Sequence, residues 1–188
     1  MNLRSIVSIV IAVMILPVQG QIKQAVFEKS KISVSGTSTI HDWEMMVDSY
    51  KSTATISINN EEVSISESSL KFKTEDLKSS SSGLNNKAYD ALNASKYPVI
   101  SFKQNGDVST KLNGNKFNTI VSGELTIAGK TKPVSLQTEG LVMADGTVKI
   151  NGSIDKKMSE FGVTPPKAMM GTIKSGDDIN IQFEVIYK

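Results

Sequence analysis

From Ile32 onward, the apolar residues of this chain recur at every second position. A period of two suits a half-buried strand and no helix, so it narrows the fold more than any other feature. Ile32 and Val34 alternate with serines. Trp43, Met45 and Val47 alternate with Glu44, Met46 and Asp48. Ala54, Ile56 and Ile58 sit among small polar residues, and Val63 and Ile65 continue the pattern. Phe117, Thr119, Val121, Leu125 and Ile127 face away from Asn118, Ser122, Glu124 and Thr126. The cleanest run, Ile179, Ile181, Phe183, Val185 and Tyr187, comes last.

Turn residues separate these runs at strand-length intervals. Asn59-Asn60, Asn113-Gly114 and Asp145-Gly146 are hairpin dipeptides, because asparagine, aspartate and glycine tolerate positive φ. Gly129-Lys130 and Gly176-Asp177 are read as turns of the same kind. Short strands joined by hairpins pair antiparallel, and one wet face per strand predicts a sandwich or a barrel. No Gly-rich phosphate loop appears, and no strand–helix alternation, which argues against a Rossmann-type fold.

One segment breaks the rhythm. Between Ser79 and Tyr97, Leu84, Ala88 and Leu92 fall at helical spacing, with Tyr89 and Ala91 beside them. Pro98 ends the helix by pushing Tyr97 toward extended backbone. A single short helix in an all-β chain plugs a barrel end or covers a sheet edge.

Asn2 and Arg4 precede an apolar run from Ile6 to Leu16, and Val18-Gln19-Gly20 supplies a cleavage site. Residues 1–20 therefore read as a signal peptide, cleaved before Gln21. The run is too short for a membrane-spanning helix, although an uncleaved anchor is the competing reading. The working protein is expected in a periplasm or secreted. Residues 21–188 are one domain of a size that hides about 70% of its unfolded surface. With no cysteine in the sequence, the fold needs no disulfide, and thiolate metal or nucleophile sites are excluded. Arg4 aside, 20 basic side chains face 19 acidic ones. That near-neutral balance suggests neither nucleic acid nor an anionic membrane as partner. With a single histidine and no D-x-D-x-D-G loop, no metal site or cofactor is expected.

His41-Asp42-Trp43 is the most conspicuous tripeptide. Neighbours on a strand point to opposite faces, and no G-x-S-x-G elbow exists, so a turn-and-packing role is favoured over catalysis. No catalytic residue is assigned. Met169-Met170, after Pro165-Pro166, suits an adaptable apolar surface, but ordinary core filling is the preferred reading.

Three stretches resemble the YceI-like family of exported lipid-binding proteins. The first runs from Leu77-Lys78-Ser79 through Tyr89-Asp90-Ala91-Leu92 to Tyr97-Pro98-Val99-Ile100-Ser101-Phe102. The second is Gly123-Glu124-Leu125-Thr126-Ile127-Ala128-Gly129-Lys130-Thr131-Lys132-Pro133-Val134, and the third is Phe161-Gly162-Val163. The opening strand departs from the family's "D-x-x-H-S-x-I-x-F", with Ser38-Thr39-Ile40-His41-Asp42-Trp43 in its place. Lys157-Met158-Ser159-Glu160 stands where Arg-x-Asp often precedes Phe-Gly. The resemblance implies an extended antiparallel lipocalin-like barrel of about eight strands. It also implies an internal cavity for polyisoprenoid, quinone or acyl-chain amphiphiles, and a homodimer in many relatives.

The function expected on this basis is carriage or sequestration of an apolar chain molecule inside the barrel. The residues expected to line it are Trp43, Met45, Tyr89, Leu92, Phe102, Leu125, Phe161, Met170 and Phe183. An eight-stranded barrel has room for side chains or one small ligand. The alternative is a structural or interaction module whose barrel is filled by its own side chains. An enzyme using His41 ranks third.

Overall fold

The computed structural model describes residues 20–59 and 61–188. The proposed signal peptide, Gly20 apart, lies outside the described residues. Thirteen strand segments form one antiparallel sheet. They are β1 (Gln21–Gln24), β2 (Lys31–Ser38), β3 (Trp43–Val47), β4 (Lys51–Ile58), β5 (Glu62–Lys73), β6 (Leu77–Lys78) and β7 (Val99–Gln104). After these come β8 (Val108–Lys111), β9 (Lys116–Ile127), β10 (Lys130–Val142), β11 (Val148–Lys157), β12 (Lys167–Ala168) and β13 (Ile173–Tyr187). The helix α1 (Ser82–Leu92) joins β6 to β7.

These segments run together into eight long strands. β1 pairs with β4 while β2 pairs with β3, so β1–β2 and β3–β4 are the two arms of one bent hairpin. β5–β6 continues against β4 and β3, and β7–β8 against β5. β9, β10, β11 and β13 complete an up-and-down meander. β13 then returns to β2, from Ser175 opposite Ser38 to Glu184 opposite Lys31. Past that ladder Val26 donates to the Ile186 carbonyl at 2.7 Å, and Lys188 to Gln24 at 3.0 Å. The sheet therefore closes on itself, which removes the exposed edges that invite aggregation.

Successive connections of a meander alternate between the two barrel ends. Residues 39–42, α1, the turn at Ala128-Gly129 and the passage from Met158 to Thr172 share one end. The connections from β4 to β5, from β8 to β9 and from β10 to β11 share the other. Ala128 (φ 48°) and Gly129 (φ 74°) are both left-handed between paired Ile127 and Lys130, as a two-residue type I′ turn requires. The turn thus lies one residue earlier than the sequence suggests.

Two further expectations change. Gly176-Asp177 is no hairpin: it lies within β13, where the register against β2 shifts between Ser175 and Ile179. The extra residues form a bulge, and Asp177 reaches from it to the Ser159 amide (2.9 Å) and hydroxyl (2.6 Å). Those bonds, side chain first, hold the Asp177 carboxyl below its ordinary pKa. Met169 and Met170 are not core filler. Both stand exposed on the loop between β12 and β13.

The solid core fills the end away from α1. Ala54, Ile56, Val63, Ile65, Phe117, Val148, Ile150, Val185 and Tyr187 are buried there. Inward parity flips along β5, from Val63 and Ile65 to Leu70 and Phe72. The cause is a bulge at Glu67 (φ 53°), where pairing with β4 slips between Thr53 and Thr55.

Candidate functional site: the cavity beneath the helix

At the α1 end the lumen is not filled. A cavity of about 430 Å³ lies between the barrel wall and the helix. Ile32, Val34, Trp43 and Met45 form one wall, and Leu70, Phe72, Leu77, Ile100, Leu125 and Ile127 another. Ile179 and Ile181 close the circle, with Met158, Phe161 and Val163 of the β11–β12 connection. Leu84, Ala88, Ala91 and Leu92 supply the roof. Their spacing is the i, i+4, i+7, i+8 stripe of an amphipathic helix.

Local chemistry fixes that roof. Ser81 caps the helix, its hydroxyl accepting from the Leu84 amide at 3.3 Å, and Asn93 ends it in the left-handed region at φ 50°. Asn85 accepts from the Ser79 amide at 2.7 Å. The Tyr89 hydroxyl lies 2.9 Å from the carbonyls of both Glu75 and Leu77. Tyr89 thus pins the helix to the third strand and points away from the space its neighbours line.

The vacancy has a physical origin in where the aromatic rings lie. Trp43 sits opposite Gly36 and its indole lies flat on that glycine, where a β-carbon would collide with it. Its Nε1 donates between the Thr37 carbonyl (3.0 Å) and the Ser175 hydroxyl (3.1 Å). The ring thus papers the wall instead of crossing the lumen. Phe102 covers Gly123 and Phe183 covers Gly152, where an added β-carbon would approach within 2.6 and 2.7 Å. Phe117 covers Gly140 in the same way. Rings laid over glycines on neighbouring strands are a known device for tightly curved sheets.

Of the residues expected from sequence, Trp43, Met45, Leu92, Leu125 and Phe161 come together around the cavity. Tyr89 lies on the helix's other side, Phe102 and Phe183 fold over their glycines, and Met170 projects from the loop outside. Sequence reasoning passed over Ala88, Ala91, Val34 and Ile181. The two alanines are small, and small inward residues leave space more than they announce it.

The rim is polar and exposed save for the half-buried Ser38 and Ser175. It comprises Ser38, His41, Ser81, Lys87, Lys167 and Ser175, with Ile40 among them. The His41 Nδ1 contacts the Asp42 main-chain oxygen at 2.8 Å, not its carboxylate. No group of three or more metal-ligating side chains occurs among the described residues. No helix among them is long and apolar enough to cross a membrane. A wider concavity of about 1630 Å³ lies on the outer wall, among Lys31, Glu44, Gln137, Asn151, Gln182 and Glu184. Its polar, open lining gives an apolar ligand no shelter from water, so the enclosed cavity is the stronger candidate.

Comparison with known proteins bears on the whole barrel. The YceI-like domain matches residues 21–187. The chain belongs to the YceI-like domain family. Its barrel resembles that of Burkholderia cenocepacia BcnA, with a TM-score of 0.67 and 20% identity, over 86% of this chain and 98% of that one. It also resembles a polyisoprenoid binding domain from Saccharophagus degradans implicated in plant cell wall breakdown. There the TM-score is 0.63 and the identity 12%, over 90% and 99% of the two chains. The YCEI protein of Campylobacter jejuni follows at 0.53 and 19%, over 97% and 91%. At such identities the likeness to these structures is one of fold. Among curated proteins no match is found. The expected YceI-like, lipocalin-like barrel with one helix is thus the observed architecture.

Proposed function

We propose that this protein binds and carries one amphiphile with an apolar tail, an isoprenoid, quinone or acyl lipid, beneath α1, and does so outside the cytoplasm. The observation that carries this reading is the cavity of about 430 Å³, lined by apolar side chains and left unfilled by them. Its volume falls within the roughly 300–1,000 Å³ of small-molecule sites. Each buried methylene contributes ~0.8 kcal/mol, so ~8 of them supply ~6 kcal/mol before ordering costs, a Kd of tens of micromolar at best, and each further methylene of a longer tail tightens it about fourfold. The polar rim suits a headgroup that stays wet. The fold shared with a polyisoprenoid binding domain supports the ligand class. The N-terminal apolar run supports export, and a mature chain beginning at Gln21, read by mass spectrometry, is the expected result.

A filled-barrel interaction module fits less well, because the cavity at the α1 end is left open. Catalysis by His41 finds no support in its main-chain contact. The test is solvent extraction and mass spectrometry of protein purified without detergent, with titration of a quinone and a polyprenol. Uptake is expected, and Ala88→Trp, which plugs the roof, should weaken it at least about tenfold while circular dichroism stays unchanged. A protein that neither retains nor takes up any amphiphile overturns the reading.

A further inference from the structure

The loop closing the cavity's end carries a feature that ligand carriage does not require. β12 and the start of β13 form a short ribbon, Lys167 opposite Lys174 and Ala168 opposite Ile173. At its tip stand Met169, 73% exposed, and Met170, 109% exposed. Both are left-handed, at φ 49° and 54°, followed by Gly171 at φ 89°. Side chains with a β-carbon disfavour that region, so the tip holds two apolar residues outward against both strain and water.

A second apolar residue group adjoins it. Ile40, 60% exposed, sits on the tip between β2 and β3. Thr39 ties that tip to the ribbon. Its amide donates to the Lys174 carbonyl at 3.0 Å and its hydroxyl to the Thr172 carbonyl at 3.3 Å. The Lys174 amide donates back to the Thr39 hydroxyl at 3.2 Å. The two tips are therefore tied into one unit.

Cations surround this unit. Lys167 and Lys174 face each other directly across the ribbon, a like-charge pairing that costs stability. Neither forms an ion pair among the described residues. Lys87 of α1 shares the rim with Lys167, and Asp42 is the acidic neighbour of the Ile40 tip.

We propose that this end of the barrel docks on the anionic surface of a lipid bilayer. Met169, Met170 and Ile40 enter the boundary between headgroups and acyl chains, and Lys87, Lys167 and Lys174 meet lipid phosphates. An apolar tip collared by unmatched cations complements a surface that is anionic above and apolar below. A second copy of this chain would bring lysine against lysine. The same end holds the cavity's mouth, so docking sets the opening against the lipid. Docking goes beyond the carriage reading and fails separately from it, because it is read without any ligand in the cavity.

The test uses phosphatidylcholine vesicles with and without phosphatidylglycerol, and brominated acyl chains as quenchers. Met170→Trp is compared with Ile120→Trp, a position on β9 that is also exposed, at 56%, on the outer wall; both variants retain Trp43. Fluorescence of Met170→Trp should be quenched well beyond that of Ile120→Trp, and only with phosphatidylglycerol present. M169S/M170S and K167E/K174E should each weaken flotation with anionic vesicles at least about tenfold, and raised salt should act in the same direction. Equal quenching at both positions, or variants that float like the parent, overturns the proposal. So does self-association lost in M169S/M170S without vesicle binding, which would make the face a contact between copies.

Discussion

At the scale of the residue, two buried polar side chains hold the packed end together. Gln104 lies inside the barrel, where alternation would place an apolar residue. Its Nε2 donates to the carbonyls of Ile65 (2.9 Å) and Gly106 (2.8 Å), and its Oε1 accepts from the Ser68 amide (3.1 Å). Ile65 and Ser68 flank the bulge at Glu67, so the amide patches main-chain groups that the ladder leaves unpaired. Gln104→Leu should cost about 2 kcal/mol or more in urea unfolding, since a stranded buried group costs ~1–3 kcal/mol. Unchanged stability would remove this role. Tyr187 shares a hydrogen bond with the Ser52 hydroxyl at 2.8 Å. Burial pushes its phenol up to about 12, with Ser52 opposing the shift and Tyr50 adding to it. Because the folded value lies above the ordinary tyrosine value of ~10, the stability is intact below pH ~10 and declines as pH rises through ~12. The loss approaches ~3 kcal/mol. Tyr187→Phe should flatten most of that decline in alkaline unfolding, leaving the part due to Tyr50, whose pKa burial also raises.

At the scale of the element, α1 is the least anchored part of the site. None of its residues is fully buried, and its apolar stripe packs only in part against the core as it roofs the cavity. Its hold on the barrel comes from that partial packing and from Tyr89, while Asn85 and the Ser81 cap fix its first turn and its lead-in. Ser81→Ala should cost about 1 kcal/mol, concentrated in this helix. Hydrogen exchange of the α1 amides should accelerate while β9 and β10 remain protected, and an amphiphile in the cavity should slow it again. Uniform acceleration across the barrel would show instead that the helix is part of one cooperative unit. The passage from β11 to β12 is held differently, by Asp177 reaching from the bulge of β13 to Ser159 and by Lys157 paired with Asp178 at 2.7 Å. That clamp seats Phe161, 1% exposed, against the cavity.

At the scale of the whole molecule, the barrel divides into a packed end that stabilises and an open end that binds. Val148→Ala, at a fully buried site, should lower stability by about 2 kcal/mol and leave ligand affinity unchanged, whereas Ala88→Trp should do the reverse. A ligand at ~100 times its Kd should add ~2.7 kcal/mol, a rise of roughly 5–10 °C in Tm by calorimetry. Strands, the helix with Leu84, Ala88 and Leu92 on one face, the family and hairpins such as those at Asn113-Gly114 and Asp145-Gly146 were legible in the sequence, whereas Gly176-Asp177 was not the turn it resembled. Alternation, turn residues and helical spacing are local signals that survive without tertiary contacts. A place on the cavity wall was legible for Trp43, Met45 and Leu125 for the same reason, and for Phe161 through the family resemblance of its stretch. What folding alone decided is which inward side chains leave room. Phe102 and Phe183 share the lining's parity, yet each lies over a glycine that register brings from another strand, Gly123 and Gly152. Tyr89 is one residue from the roof's stripe and turns instead to the carbonyls of Glu75 and Leu77. A void depends on contacts between residues far apart in the chain, and no periodicity within one segment encodes it.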